Sequence, residues 1–377
     1  MSGNASGRPL RVGIVGAGRI VERVHLPTVG GRPDTSAVGI YDPEAARARE
    51  LAGRFGVEHV CGELDELLRL DLDAVIVASP NATHAQTCVA ALRSGAHVLC
   101  EKPLATSAAE AEAMVRAAEE SGRELMAAFA NRFRPEVAAL RTAMREMGLG
   151  GVEGVRCGWL RRNGVPGAGT WFTRRALSGG GVLIDLGSHL LDLAVWLSGR
   201  PRLLRAACVL DRTAAPGAQA AWYTAAGAPD APDLDVDVTA SGFAVFEGPL
   251  NLFVEVSWAS NVPFDQTYFQ LSGRGWMARL DTLFGFSPNG QRPENPLRLW
   301  VGGEPVPTEA AAAGDVFQPF RDQWDFFVES LRGGRSLRAG LHDALATARV
   351  VEAMYESAAE FDSAPGAASG VSEGQTF

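Results

Sequence analysis

The apolar run Leu10-Arg-Val-Gly-Ile-Val-Gly16 ends on a glycine, and Ala17-Gly18 and a helical stretch to Val24 follow at once. A buried strand that turns through two closely spaced glycines into a helix leaves few folds open. The first glycine permits the tight turn. The second lets a pyrophosphate approach the backbone at the positive end of the next helix. The same alternation then repeats. Strands are expected at 36–41, 74–78, 97–100 and 124–128, and helices at 45–55, 64–70, 84–94 and 107–121. Gly56, Gly95 and Gly122 stand as helix stops. Strict alternation of strand and helix predicts a doubly wound parallel sheet.

Past residue 135 the pattern changes. A helix at 136–147 and a strand at 152–161 precede Gly179-Gly180-Gly181, which opens a helix running to Leu197. Longer alternating strands start at 203. Two hairpins are expected, 236–246 with 250–258 around Glu247-Gly248-Pro249, and 267–272 with 276–281 around Gly273-Arg274-Gly275. An edge strand at 297–301 and helices at 317–331 and 341–358 complete the reading. At 377 residues two domains are the natural division. The expected fold class is α/β: an N-terminal Rossmann domain over 1–130, then an α/β domain with a mostly antiparallel sheet over 131–362. Residues 213–234, rich in Ala, Pro and Gly, read as a long loop, and 363–377 as a flexible tail.

Acidic residues outnumber basic ones 44 to 35, and the net charge of −9 speaks against a nucleic-acid or anionic-membrane partner. The polar start, Met1 to Pro9, has no signal-peptide core, and no apolar run has the roughly 18 residues of a membrane span, so a cytoplasmic location is expected. Cys61, Cys88, Cys100, Cys157 and Cys208 are dispersed and odd in number, which reads as buried free thiols rather than disulfides or a metal site.

Of the 35 basic residues only Lys102 is a lysine. Where arginine serves everywhere else, a lone lysine marks a place that needs a compact ammonium instead of a wide guanidinium. It stands in Glu101-Lys102-Pro103, just after the fourth expected strand, at the sheet end where ligands bind. Ser79-Pro80-Asn81-x-x-His84 occupies the equivalent place after the third. Pro80, Asn81 and His84 are therefore cofactor-facing candidates, beside the alternative of a capped loop. Asp42 ends the second strand, where an acid accepts bonds from adenosine ribose hydroxyls and repels a 2′-phosphate, favouring NAD over NADP. The alternatives are a plain helix cap, and an NADP site served by nearby Arg47. Further on, Asp185 and His189 share one face of an otherwise apolar helix, a costly arrangement unless it has work to do.

Together these segments resemble the glucose–fructose oxidoreductase, inositol dehydrogenase and rhizopine-catabolism family (Gfo/Idh/MocA), over roughly residues 10–360. The resemblance rests on Val12-Gly-Ile-Val-Gly-Ala-Gly18, Pro80-Asn81-x-x-His84, Glu101-Lys102-Pro103, Asn131-Arg132-Phe133-x-Pro135 and Gly179-Gly-Gly-x-x-x-Asp185-x-Gly-x-His189-x-x-Asp192. Val21, at the third fingerprint position, departs from the Gly or Ala of the pattern. The resemblance implies Lys102, Asp185 and His189 as the catalytic set. It implies Gly16, Gly18, Arg19, Ile20, Asp42, Pro80, Asn81, His84, Glu101 and Lys102 as cofactor contacts, and Arg132 and Trp171 as substrate contacts beside Asp185 and His189. It also implies dimer or tetramer contacts through the second sheet.

The activity so implied is NAD-dependent oxidation of a secondary alcohol of a sugar, aminosugar or cyclitol, with His189 as base, since imidazole titrates near neutral pH. Asp185 would orient His189 or bind a substrate hydroxyl, and Lys102 would stabilise the developing alkoxide. The alternatives are a ketoreductase of a nucleotide-linked ketosugar, glycoside cleavage through tightly held NAD, and a non-catalytic NAD-sensing regulator. Residues 213–273 carry seven acids (Asp230, Asp233, Asp235, Asp237, Glu247, Glu255 and Asp265) and no Arg or Lys. If these face the cleft, a cationic, aminoglycoside-type substrate is favoured. Otherwise they form a solvated surface.

Overall fold

The computed structural model describes residues 7–166, 170–213, 234–260, 262–286, 290, 294–308, 310 and 314–363. In the first part the strands are β1 (Leu10–Val15), β2 (Thr35–Tyr41), β3 (His59–Cys61), β4 (Ala74–Val77), β5 (His97–Cys100) and β6 (Leu125–Ala127). Between and after them run α1 (Leu26–Gly30), α2 (Ala45–Phe55), α3 (Leu64–Leu68), α4 (His84–Arg93), α5 (Ala108–Ser121) and α6 (Pro135–Glu146). The strands pair in parallel in the order β3-β2-β1-β4-β5-β6. The order reverses beside β1, which leaves a crevice at the strand C-termini. β4 is buried at every residue, and β1 at all but Arg11, as a parallel sheet covered by helices on both faces requires.

Periodicity does not reveal β3, because three residues are too few to show a period. The first helix also runs further than the sequence indicates. A π-helical turn, Val21–His25, carries it into α1, where Leu26 N–H donates to Val21 O and Pro27 has no amide to satisfy.

The second part holds β7 (Val152–Leu160), α7 (Arg175–Ser178), α8 (Ser188–Leu197), β8 (Leu203–Asp211), β9 (Thr239–Phe246), β10 (Asn251–Ser257), β11 (Gln266–Gly273), β12 (Trp276–Thr282), β13 (Leu297–Val301), β14 (Glu304–Val306), α9 (Gln318–Gly333) and α10 (Arg338–Ser363). The eight strands lie in the order β14-β13-β12-β11-β7-β10-β9-β8, and only the β7–β10 pair is parallel. Both expected hairpins form, β9–β10 and β11–β12. β14 is again too short to read from sequence, and it takes the edge expected of β13.

Trp159, Trp258 and Phe269 fill the second core beneath α8. The stretch Arg175–Leu197 is long and apolar enough to cross a membrane, but 83 % of its apolar window is buried in protein. After building the second sheet the chain returns to the first. Trp324, Phe327 and Val328 of α9 pack with Ile14, Ile40 and Ile76, and Leu341 and Leu345 of α10 pack with Val98 and Cys100. The far end of α10, Val350 to Ala358, joins the second core, so one helix ties both sheets together. All five cysteines are buried free thiols. Residues 214–233 of the expected loop and 364–377 of the expected tail lie outside the described residues.

Candidate active site

At the end of β1 the backbone of Gly16 has φ +104°, and a Cβ there would lie 2.4 Å from Ala78 O. Only glycine can make this turn against β4. A Cβ on Gly18 would meet nothing within 4 Å, so the loop stands open where a phosphate would approach. Arg19 beyond it is exposed and Ile20 half-buried. Asp42 Oδ2 accepts from Ala17 N at 2.6 Å and Oδ1 from Glu44 N at 2.8 Å. The acid thus braces the glycine loop and closes its own turn, and its remaining lone pairs can still take ribose hydroxyls. These features fit a nicotinamide dinucleotide.

The loop leaving β5 carries Lys102 into the crevice, with a cis bond to Pro103. Glu101 fixes its start by accepting from Lys102 N at 3.2 Å and pairing with His25 Nε2 at 2.8 Å. Burial opposes charge on Glu101, but His25 and Lys102 hold its carboxyl below the usual range. His25 lies in the π-helical turn, and nothing in its sequence spacing singles it out.

Lys102 Nζ donates to Asp185 Oδ1 at 2.6 Å and to Asp185 O at 3.2 Å. Asp185 Oδ2 accepts from Trp258 Nε1 at 2.9 Å. Burial works against ionisation of Asp185, yet Lys102, Arg161 and the Trp258 bond keep its carboxyl below its ordinary value. Trp258, 73 residues away in sequence, has no signal that could have marked it.

His189 stands one helical turn beyond Asp185 but makes no hydrogen bond to it among the described residues, since Lys102 and Trp258 occupy the carboxylate. Its ring is held instead by Phe129 and Trp159, with centroids at 6.1 and 5.7 Å. Nδ1 is buried without a partner, which leaves Nε2 as the nitrogen available to a ligand. Burial and then the Lys102 charge push the pKa of His189 well below that of free histidine, against the pull of Asp185. The ring is a neutral proton acceptor at pH 7.

Asp185 owes its position to the three glycines before it. Asp237 accepts from Gly181 N at 2.8 Å and Leu183 N at 2.9 Å, and the Tyr355 hydroxyl donates to Asp237 at 2.9 Å. A Cβ on Gly181 would fall 1.9 Å from Asp237 O, and one on Gly180 would fall 2.2 Å from the Tyr355 hydroxyl oxygen. The π-helical turn Leu183–Gly187 starts from this anchor and presents Asp185 to Lys102. Such turns recur at functional sites.

Other sequence candidates have different duties. His84 cannot offer a polar atom to a cofactor: it is fully buried, and both ring nitrogens contact backbone carbonyls. Asn81 Nδ2 donates to Ser178 O at 2.8 Å and staples the first domain to α7. Pro80 lies in the same loop, its carbonyl accepting from Thr83 N at 2.9 Å. Arg132 is committed to ion pairs. It grips Asp192 with two bonds of 2.7 and 2.5 Å and Asp343 with a third of 3.2 Å, joining the end of the first domain to α8 and α10. Trp171 lies half-buried on the segment before α7, stacked on Phe172 at 3.8 Å.

The acid-rich segment is spent on internal bonds as well. Asp235 accepts from Arg175 N, Asp237 anchors the glycine loop, Glu255 accepts from Tyr268 and Asp265 from Arg162 N. Glu247 pairs with Arg202 at the surface, and Asp230 and Asp233 lie outside the described residues. Each described acid of the segment thus has a partner within the chain. Sequence counts charges but does not show which amides claim them.

Residues 10–129 match the oxidoreductase family described as having an NAD-binding Rossmann fold, and residues 137–276 match the GFO/IDH/MocA C-terminal domain. A protein of Amycolatopsis mediterranei provisionally named UDP-kanosamine synthase oxidoreductase subunit is 35 % identical over 80 % of this chain and 84 % of its own. The D-glucoside 3-dehydrogenase of Escherichia coli is 38 % identical over 51 % of this chain and 55 % of its own, so the likeness spans about half of each. Among solved structures, GenD2 from gentamicin A biosynthesis, in complex with NAD, superposes with a TM-score of 0.74 at 25 % identity, covering 94 % of this chain and 95 % of that one.

Proposed function

This chain belongs to the Gfo/Idh/MocA family of oxidoreductases, and we propose that within it the chain is an NAD-dependent dehydrogenase of a secondary alcohol on a sugar or cyclitol. The observation that carries this reading is the 2.6 Å Lys102–Asp185 pair one turn from a neutral His189. NAD, when bound, supplies the hydride acceptor. The chain's own residues manage the proton and the charge. His189 Nε2 takes the hydroxyl proton, which its depressed pKa leaves it free to do at neutral pH. The Lys102 ammonium, already fixed by Asp185, stabilises the alkoxide without reorganising. Trp258 holds the other carboxylate oxygen and keeps Asp185 from turning away.

Reduction of a ketosugar would run the same proton transfer in reverse, with a protonated His189 as the donor. Non-catalytic sensing gives no reason to maintain this proton-transfer set. Asp42 beside the glycine loop supports NAD over NADP. The name of the Escherichia coli relative, a D-glucoside 3-dehydrogenase, supports a glucoside oxidised at position 3. Trp171, on the segment leading to α7, is assigned to the substrate side. Leu204, Val209 and Phe253, exposed on the second sheet, support a homo-oligomer through that sheet, which light scattering would check.

The test is absorbance at 340 nm with NAD or NADP and a panel of glucosides, inositols and aminosugars. Reduction of NAD by a glucoside, with 3-keto product, is expected. A protein that binds NAD but reduces it with no member of the panel would refute the dehydrogenase.

A further inference from the structure

His84 opens α4 with no exposed surface, and its two ring nitrogens lie 2.9 Å from Pro103 O and 3.0 Å from Ser79 O. A carbonyl oxygen can only accept. A neutral imidazole has one donor, so it would leave one nitrogen lone pair facing a carbonyl lone pair. Only the imidazolium satisfies both contacts. The two carbonyls belong to the loops after β4 and β5, and the second is the residue next to Lys102. We propose that His84 is a protonated strut, a positioning residue whose two bonds lock these loops together and set Lys102 against Asp185.

The surroundings support charge without an acid partner. Cys100 on β5 and, behind it, Cys88 on α4 are the titratable groups against the ring among the described residues. Burial and Cys88 push the Cys100 thiol well above its usual value, so it stays neutral. α5 contributes only apolar residues, Ala111, Met114, Val115, Ala117 and Ala118, to the same core. On the loop side the Ser79 and Thr83 hydroxyls bond to each other at 2.6 Å. Burial works against the ring's charge, and its bonds to the two carbonyls favour it. While the ring is charged both loops are held. Its deprotonation releases one carbonyl, and Lys102 loses its fixed base.

The role of Lys102 in turnover rests on the function proposed above, but neither readout here uses turnover. Lys102 is the only lysine, so side-chain ¹⁵N-lysine labelling of the full chain gives one ammonium signal. Ring ¹⁵N shifts of labelled histidine are tied to His84 through its assigned backbone resonances in the wild type. At pH 7.5 both His84 nitrogens should resonate as protonated, and His84→Gln should shift the Lys102 signal or broaden it to loss. In the wild type, titration from pH 7.5 to 10 should move the Lys102 signal together with His84, a measurement that stands even if the variant does not fold. A neutral His84 tautomer at pH 7.5 overturns the strut. A Lys102 signal indifferent to His84→Gln or to the titration of His84 overturns the positioning.

Discussion

Tyr355→Phe removes one oxygen from the far end of α10 and is expected to disturb the catalytic loop. That hydroxyl donates to Asp237 Oδ1 at 2.9 Å and lies 3.1 Å from Gly181 N and 3.3 Å from Ile184 N, both able to donate to it. Burial and the Asp237 carboxylate raise its pKa well above that of free tyrosine, so it remains a donor throughout the working range. A hydrogen bond to a charged group contributes about 1.5–3 kcal/mol, and a buried amide left unpaired adds about 1 more. The expected loss of stability is therefore about 2–4 kcal/mol. In thermal unfolding, at about 2–4 °C per kcal/mol for a domain of this size, Tm falls by about 4–16 °C. The ring itself is retained, so packing contributes little. The loosened segment begins four residues before Asp185, and kcat should fall about tenfold through misorientation. NAD affinity should hold, because the glycine loop and Asp42 lie in the other domain. A variant with stability within about 0.5 kcal/mol of wild type and unchanged kcat would refute the view that this anchor sets the loop.

Lys102→Arg should lose most turnover while NAD binding, read by fluorescence titration, stays near wild type; a guanidinium cannot take the ammonium's place against both Asp185 oxygens. Asp42→Ala should raise activity with NADP relative to NAD, measured as the ratio of kcat/KM values, and an unchanged ratio would deny Asp42 its selecting role. Arg132→Ala should destabilise the fold by about 3–5 kcal/mol in urea unfolding, because Asp192 is left buried and unpaired. His97, whose pKa burial and then Arg123 lower from 6.5 to about 4, binds a proton more readily unfolded than folded. Its stabilisation is complete above pH 6.5 and is lost as pH falls towards 4, by up to about 3 kcal/mol; His97→Gln should flatten that part of the pH–stability curve.

Much of this molecule is legible in its sequence. The two glycines after an apolar strand, the regular strand–helix alternation and the turn residues of two hairpins follow from local rules of backbone geometry, so they place the elements and the open phosphate loop. The solitary Lys102 and the four-residue spacing of Asp185 and His189 are also local, and they mark the set proposed to react.

What sequence leaves open is which partner each polar group takes. Asp185 bonds to Lys102 and Trp258, from the other domain and from a distant strand, rather than to His189 on its own helix. Of three residues read as ligand contacts, His84 binds two carbonyls inside the first domain, while Asn81 and Arg132 bind a carbonyl and carboxylates across the domain junction. Asp235, Asp237, Glu255 and Asp265 close on amides and phenols, and Glu247 on Arg202. A residue's type and spacing are fixed along the chain. Its burial, its charge and the bonds left for a ligand depend on neighbours that only the packing of the two sheets brings together.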